Sequence, residues 1–424
     1  MLANRRYGRT IAREGKGAAP HGGPLRARKA LAAALATAVI AVGAAVSIGL
    51  YARERPLSVA AAALDEREIT AYGKALSKAK GLSKLSARPT LKDSLSGRAS
   101  EVLVARLGAE LSGSSAAFTE IPAETLAKLP PSVRAASLDA AGRPFVMPVE
   151  LDPFQVAYSY AGFGPDAPRN DARLTDKDID SALKRHKDPR APAMLFAGGD
   201  DETLLLVISV LCEVRGGAAA YQALVAAAAK GGDLSAIASI PVGTAPDGSA
   251  FGLGSLMEVI KGWKAKGYLH PEWFSLQPAD VVAYLKGGLG LVALLPLSLR
   301  REVPYEAISG YGWDSYPGSP AGRARAYVAP LTGCAVAARG GARSARAARA
   351  AMGALTDSRT ALEMAKETGR ATTLAAAPAP DIQAADALAW AAGASIVVNG
   401  LYRDAFATEA DAKSFAAAVR AELR

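Results

Sequence analysis

Continuous apolar runs alternate along the chain with stretches in which apolar residues recur every three or four positions. The runs at 101–107, 143–151 and 289–297 (EVLVARL, RPFVMPVEL and LGLVALLPL) predict buried strands. Helical spacing at 254–268 and 411–423 (GSLMEVIKGWKAKGY and DAKSFAAAVRAEL) predicts amphipathic helices. Strands that alternate with helices predict an α/β fold.

One predicted helix is apolar on every side. The stretch 198–217, GGDDETLLLVISVLCEVRGG, has glycine at both ends. Asp200 or Asp201 suits its N-cap, and Glu202 suits the positive end of the helix dipole. This helix is expected to lie in a core.

A second apolar stretch indicates export. Residues 30–52 carry no charge, and as a helix they span roughly 34 Å, enough for a bilayer core. Eight basic residues precede this segment, which places the 1–29 tail in the cytoplasm. The alternative is a cleaved signal, with small residues at 58–64 for processing. Either way, we expect the body outside the cytoplasm, anchored by one transmembrane helix or secreted.

The positive net charge reflects the orientation of the chain in the membrane. The 1–29 tail holds eight bases against one acid, so 42 of the 50 bases and 39 of the 40 acids remain for the rest of the chain. The body is close to neutral, which argues against nucleic acid as a partner.

The chain carries no recognisable catalytic, metal or cofactor motif. There is no G-x-S-x-G, H-E-x-x-H or phosphate-binding G-x-x-x-x-G-K-[ST] sequence. The only nucleophile pattern, Ser77 with Lys80, stands without its partner motifs. Three scattered histidines cannot build a zinc site with Cys212 and Cys334, which are expected to form one bridge or two buried thiols. We therefore predict no enzyme, no metal and no cofactor.

Aromatic residues indicate binding instead. Rings make up 6% of the chain, yet several fall just after the strand at 143–151, among them Tyr158. A second group, in YGWDSYPGS, brings Trp313, Asp314 and Tyr316 into an expected loop. Rings stack on sugars and organic solutes while acids fix their orientation. We predict Tyr158, Trp313, Asp314 and Tyr316 as ligand-binding residues together with Asp200, with structural packing as the alternative for the rings.

The order of segments resembles family 1 extracellular solute-binding proteins of bacterial ABC importers. AGRPFVMPVELDPFQVAYS resembles the family's crossover, and IKGWKAKGYLHPEWFSLQPADVVAYLKGGLGLVALL resembles its helix, turn and strand. YVAPLTGCAVAARGGARSARAARAAMGALTDSRTALEMAKETGRATT resembles its last conserved segments. The resemblance departs at Leu297 and Ser298, which stand where sugar-binding members often have tryptophan.

The resemblance implies a periplasmic-binding-protein-like fold with two α/β lobes and hinges near 152–160 and 290–300. The lobes would span 101–424, and 53–100 would be a stalk or a divergent start of lobe 1. The implied ligand is a small polar solute, with sugar as one class, and the implied partners are a permease and an ATPase. Tyr158 and Trp313 would then lie on facing walls of one cleft.

Two other interpretations remain open from the sequence. The first is a membrane-tethered structural or adaptor protein on a decayed solute-binding fold. The second is an exported enzyme without a known motif, in which carboxylates such as Asp152 with Asp200 or Asp201 would cluster in a cleft.

Overall fold

The computed structural model describes residues 56–88, 91–92, 100–168, 174–186, 192–316, 323–338 and 341–424. The basic tail and the apolar segment that the sequence predicts before residue 53 lie outside these described residues. The described body contains two α/β lobes, each with its own sheet and apolar core. The predicted bilobed α/β fold is confirmed.

Lobe 1 is built on a six-stranded mixed sheet in the order β13-β4-β12-β3-β1-β2. Its strands are β1 (Leu57–Ala62), β2 (Leu82–Arg88), β3 (Val102–Arg106), β4 (Val146–Leu151), β12 (Leu331–Val336) and β13 (Ala371–Thr372). Its helices are α1 (Glu66–Ser77), α2 (Ala109–Gly113), α3 (Ala123–Leu126), α4 (Pro131–Ala135), α13 (Gly341–Leu355), α14 (Ser358–Thr368) and α15 (Ile382–Gly393). The strands predicted at 101–107 and 143–151 are β3 and β4.

Lobe 1 begins before residue 101, where the first apolar run that predicts one of its strands starts. Strand β1 is buried along nearly its whole length and pairs in parallel with both β2 and β3. Helix α1 follows directly, closed at its start by a capping box between Asp65 and Glu68. The stretch 57–88, which the sequence left as a stalk or a divergent start, is therefore a β-α-β unit of this sheet.

Lobe 2 is built on a four-stranded sheet in the order β10-β5-β9-β6, with a separate hairpin of β7 and β8. Its strands are β5 (Phe154–Ser159), β6 (Met194–Leu195), β7 (Gly243–Thr244), β8 (Ala250–Phe251), β9 (Val292–Pro296) and β10 (Tyr311–Ser315). Its helices are α5 (Tyr160–Phe163), α6 (Asp176–Arg185), α7 (Asp201–Ala229), α8 (Leu234–Ala238), α9 (Leu253–Ala265), α10 (Pro278–Lys286), α11 (Leu297–Arg300), α12 (Tyr305–Ile308), α16 (Leu401–Asp404) and α17 (Glu409–Leu423).

Helix α7 is the predicted all-apolar helix, longer than expected and interrupted at Gly217, whose φ is 70°. Asp200 is its N-cap. Among the described residues, α7 is the one helix with the length and hydropathy to cross a membrane, and 83% of its most apolar window is buried inside the structure. It is the core helix of lobe 2.

In the part of the chain that the structure describes, three connections lead from one lobe to the other. Residues 152–153 join β4 to β5, inside one of the two hinge segments expected from the sequence. The other passages flank β11 (Ala326–Val328) and β14 (Ile396–Val398), a parallel pair with side chains in the cores of both lobes. The second expected hinge segment, 290–300, contains a contact between the lobes, because Leu297 packs into the core of lobe 1 directly after β9 of lobe 2.

The two cysteines are free and buried, Cys212 in the core of lobe 2 and Cys334 in that of lobe 1. Of the two states that the sequence allowed, the structure has the unbridged thiols.

Candidate functional site

A cleft of about 220 Å³ is lined by residues of both lobes. Strands β1, β3 and β4 of lobe 1 and β6 and β9 of lobe 2 direct their carboxyl ends toward it, as their pairing and lining residues show. Ligand sites of open α/β sheets form at such edges, where loops diverge and leave a crevice. We take this cleft as the candidate site.

The wall from lobe 1 is a buried network of ion pairs. Arg370, 3% exposed, bonds to Asp65 at 3.2 Å and forms an ion pair with Glu68. Arg106, at the end of β3, bonds to the other oxygen of Glu68 at 2.9 Å and to Thr332 at 3.0 Å. The two guanidinium groups of this wall are therefore largely neutralised by acids of their own lobe.

The floor of the cleft lies at the junction of the lobes. Asp152 accepts a hydrogen bond from the backbone N–H of Ser298 at 2.9 Å and another from its hydroxyl at 2.5 Å. Nε of Arg370 donates to the same carboxylate at 3.3 Å. Burial raises the pKa of Asp152 to about 6, and burial lowers the pKa of Arg370 to about 10. Both oxygens of Asp152 are used in holding the junction, which argues against a free acid–base group.

The wall from lobe 2 is the first turn of α7. Oδ2 of Asp200 accepts from the backbone N–H of Thr203 at 2.8 Å, which satisfies one of the unpaired donors at a helix start. Glu202 is held by a two-point bond to Arg403, with distances of 3.0 and 2.8 Å. The second oxygen of Asp200 has no hydrogen-bond partner among the described residues, so this acid can accept from a solute in the cleft.

The described lining of the cleft contains charged groups, threonine, serine, proline and leucine, and no aromatic ring. Such a surface recognises a solute through hydrogen bonds and charge. It cannot stack on a sugar ring in the way that the aromatic residues suggested.

Of the residues predicted for binding, Asp200 lines this cleft. The expectation that Tyr158 and Trp313 face each other across it is wrong. YGWDS is not a loop but strand β10, in which Trp313 pairs with Ala157 and Gly312 pairs with Tyr158. The two rings therefore project from opposite faces of one sheet. Tyr158 is buried against Phe163, and Trp313 lies under Arg300.

Asp314 and Tyr316 also lie away from the cleft. The Asp314 carboxylate is buried and accepts from the backbone N–H of Leu174 at 2.8 Å, which ties a neighbouring segment to the edge strand. Tyr316 is buried in the core of lobe 2 and lines a separate cavity of about 230 Å³ with Trp263 and Tyr268. The structure thus gives these two residues packing and anchoring contacts.

Arg370, Ser298 and Arg106 are among the cleft residues that were not predicted from the sequence as ligand-binding. Arg370 lies in the segment 327–373, which resembles the last conserved segments of the family. Ser298 lies where sugar-binding members of the family often have tryptophan. Arg106 ends a strand that was correctly predicted. A polar residue at the carboxyl end of a predicted strand was the available signal, but it does not tell which strand ends meet.

No family profile and no curated protein matches the sequence. Solved structures do match the fold. The bacterial solute receptor AcbH, described as having an exclusive substrate preference for β-D-galactopyranose, superposes with a TM-score of 0.66 at 11% identity, over 87% of this chain and 98% of its own.

Two further structures match over the same 87% of this chain. A sugar transporter protein from Bacillus licheniformis, in complex with stachyose, has a TM-score of 0.58 at 12% identity and is covered completely. The extracellular solute-binding protein from Staphylococcus aureus, in complex with maltose, has a TM-score of 0.58 at 11% identity and is covered over 94%. At these identities the likeness establishes the fold: this chain has the fold of solute-binding receptors.

Proposed function

We propose that this protein is an exported solute-binding receptor that captures a small polar solute between its lobes and delivers it to an ABC importer. The observation that supports this most is the cleft at the meeting strand ends of both sheets, with polar groups from each lobe. The sugars bound by the structural neighbours make carbohydrates the first class to test. A permease and an ATPase are the corresponding partners, and residues 30–52 are the proposed membrane anchor.

Recognition in this receptor would rest on hydrogen bonds. Asp200 supplies an acceptor from lobe 2, and Arg106 supplies guanidinium donors from lobe 1. A polyol or a sugar rich in hydroxyl groups fits this chemistry, because each hydroxyl both donates and accepts. Because the described lining contains no aromatic ring, affinity depends on satisfying these polar groups.

The test is a thermal-unfolding screen of the purified protein against sugars, polyols, oligosaccharides and amino acids. A ligand at a hundredfold excess over Kd stabilises the native state by about 2.7 kcal/mol. We expect one class to raise the melting temperature, and Asp200→Asn to weaken that rise while it keeps the helix cap. Asp247→Asn, which changes an exposed loop acid, is the matched control. A cooperative transition that no compound shifts would contradict the proposal.

A second candidate, the tethered adaptor on a decayed fold, is favoured by contacts that fasten the lobes together. Arg301, next to α11, bonds to both oxygens of Asp381 at 2.8 Å and to the carbonyl of Ala365 at 3.1 Å in lobe 1. Small-angle scattering distinguishes the two functions. A receptor becomes more compact with its solute, whereas an adaptor keeps one radius of gyration under every solute tested.

A further inference from the structure

Three side chains near the sheet of lobe 2 carry buried polar atoms without a hydrogen-bond partner among the described residues. They are Nε of Arg300, the indole Nε1 of Trp313, and both Nε2 and Oε1 of Gln155. Arg300 is 8% exposed and Gln155 is 1% exposed. Most buried polar groups in folded proteins are paired, so such a group of atoms calls for an explanation.

The three side chains share one face of the lobe 2 sheet. Gln155 pairs across the strands with Ser315, and Ala157 pairs with Trp313, so Gln155 and Trp313 project from the same side. The guanidinium carbon of Arg300 lies 4.0 Å from the centroid of the Trp313 ring. Helix α11 therefore places the positive charge of Arg300 against the Trp313 ring on this face of the sheet.

Among the described residues, no acid forms an ion pair with Arg300. Asp381 acts on it electrostatically but gives both carboxylate oxygens to Arg301. Burial lowers the pKa of Arg300 to about 10, since the charged form loses its hydration. A buried unpaired ion costs several kcal/mol, which a bound anion would offset.

We propose that Arg300, Trp313 and Gln155 form a binding site for a small monovalent anion of the carboxylate class. The guanidinium edge that contains Nε matches two carboxylate oxygens, while the Trp313 ring covers the guanidinium face. The indole N–H and the amide N–H of Gln155 are further donors. Oε1 of Gln155 is an acceptor and disfavours a second negative charge, so a dianion is not the ligand.

This site is separate from the cleft, because none of its three residues is part of the cleft lining. It nevertheless bears on the cleft, since α11 also supplies Ser298 and Leu299 to the cleft wall. An anion bound to Arg300 would therefore restrict the movement of α11, and with it the positions of Ser298 and Leu299 in the cleft wall.

The test is thermal unfolding of the full-length protein in acetate, formate and nitrate, at ionic strength held constant with a bulky sulfonate buffer. We expect a saturable rise in melting temperature with acetate that Arg300→Leu abolishes. Arg359→Leu removes the same charge from an exposed helix position and is expected to keep the rise. Gln155→Leu is expected to raise the half-saturating acetate concentration about tenfold, as the loss of one hydrogen bond to a charged ligand predicts.

A crystal grown in acetate, with a second soaked in bromide for its anomalous signal, supplies a readout that does not depend on the folding of a variant. Acetate density or a bromide peak in hydrogen-bond contact with Nε of Arg300 supports the proposal. Water alone at that position overturns it, as does an acetate effect that Arg300→Leu leaves intact. If Arg300→Leu does not fold, Gln155→Leu decides: a tenfold higher half-saturating acetate concentration supports the proposal, and an unchanged one overturns it.

Discussion

Glu150 makes the stability of lobe 1 depend on pH in a direction opposite to that of most paired carboxylates. It lies in β4, is 1% exposed and accepts a hydrogen bond from the Thr368 hydroxyl at 2.7 Å. Burial raises its pKa to about 7, against the ordinary value of 4.5, and the hydrogen bonds only partly oppose this. The folded protein therefore keeps a proton on Glu150 that the unfolded chain releases.

The sign and size follow from this difference. Below pH 4.5 both states are protonated, so the full stability is present. As pH rises toward 7 the unfolded chain gains from ionisation, and the free energy of unfolding falls. At about 1.4 kcal/mol for each pH unit between the two pKa values, the loss at pH 8 approaches about 3 kcal/mol. Glu150→Gln has nearly the same shape and cannot ionise, so we expect it to recover most of this loss.

The assay is urea unfolding followed by circular dichroism between pH 4.5 and pH 8.5, with the slope m compared between proteins. We expect the wild type and Glu150→Gln to coincide near pH 4.5 and to diverge as pH rises, with the variant more stable. Glu124→Gln, at an exposed position, should follow the wild type throughout. Parallel curves for wild type and Glu150→Gln would refute the reasoning, because the buried carboxylate would then contribute no pH dependence.

Three more outcomes follow from contacts in the cleft and between the lobes. Arg370→Met leaves the buried Asp152 without an ion-pair partner among the described residues and leaves Glu68 with Arg106 alone. It is expected to cost about 3–5 kcal/mol in urea unfolding, whereas Arg359→Met at an exposed position should change stability by less than about 0.5 kcal/mol. Gly108 has a φ of 148°, and an added Cβ would collide with the carbonyl of Arg403 on lobe 2. Gly108→Ala is therefore expected to push the lobes apart and to increase the radius of gyration in small-angle scattering. An unchanged radius with unchanged stability would count against this contact between the lobes. Asp200→Ala is expected to lower stability by about 1 kcal/mol through loss of the α7 cap while Asp200→Asn does not, and equal melting temperatures for the two variants would show that the cap contributes nothing.

Local pattern determined the elements and the fold class. The apolar runs at 101–107, 143–151 and 289–297 are β3, β4 and β9, and the acid–apolar stretch after Gly199 is a helix capped by Asp200. Each of these features is set by residues that lie within a few positions of one another. Strands and helices follow from the periodicity of apolar side chains, and the cap follows from the unpaired N–H groups at a helix start. For the same reason, the order of such segments carried the resemblance to solute-binding proteins that the fold bears out.

Only the tertiary structure decided which residues meet. YGWDS contains glycine, an acid and rings, which is typical of a loop, yet pairing with β5 makes it an edge strand and places Tyr158 and Trp313 on opposite faces. Arg106, Asp152, Ser298 and Arg370 are far apart in sequence and come together because β3, β4 and β9 end, and β13 begins, at one crevice. A side chain's surroundings depend on strand order and on the packing of two lobes, which no local pattern records.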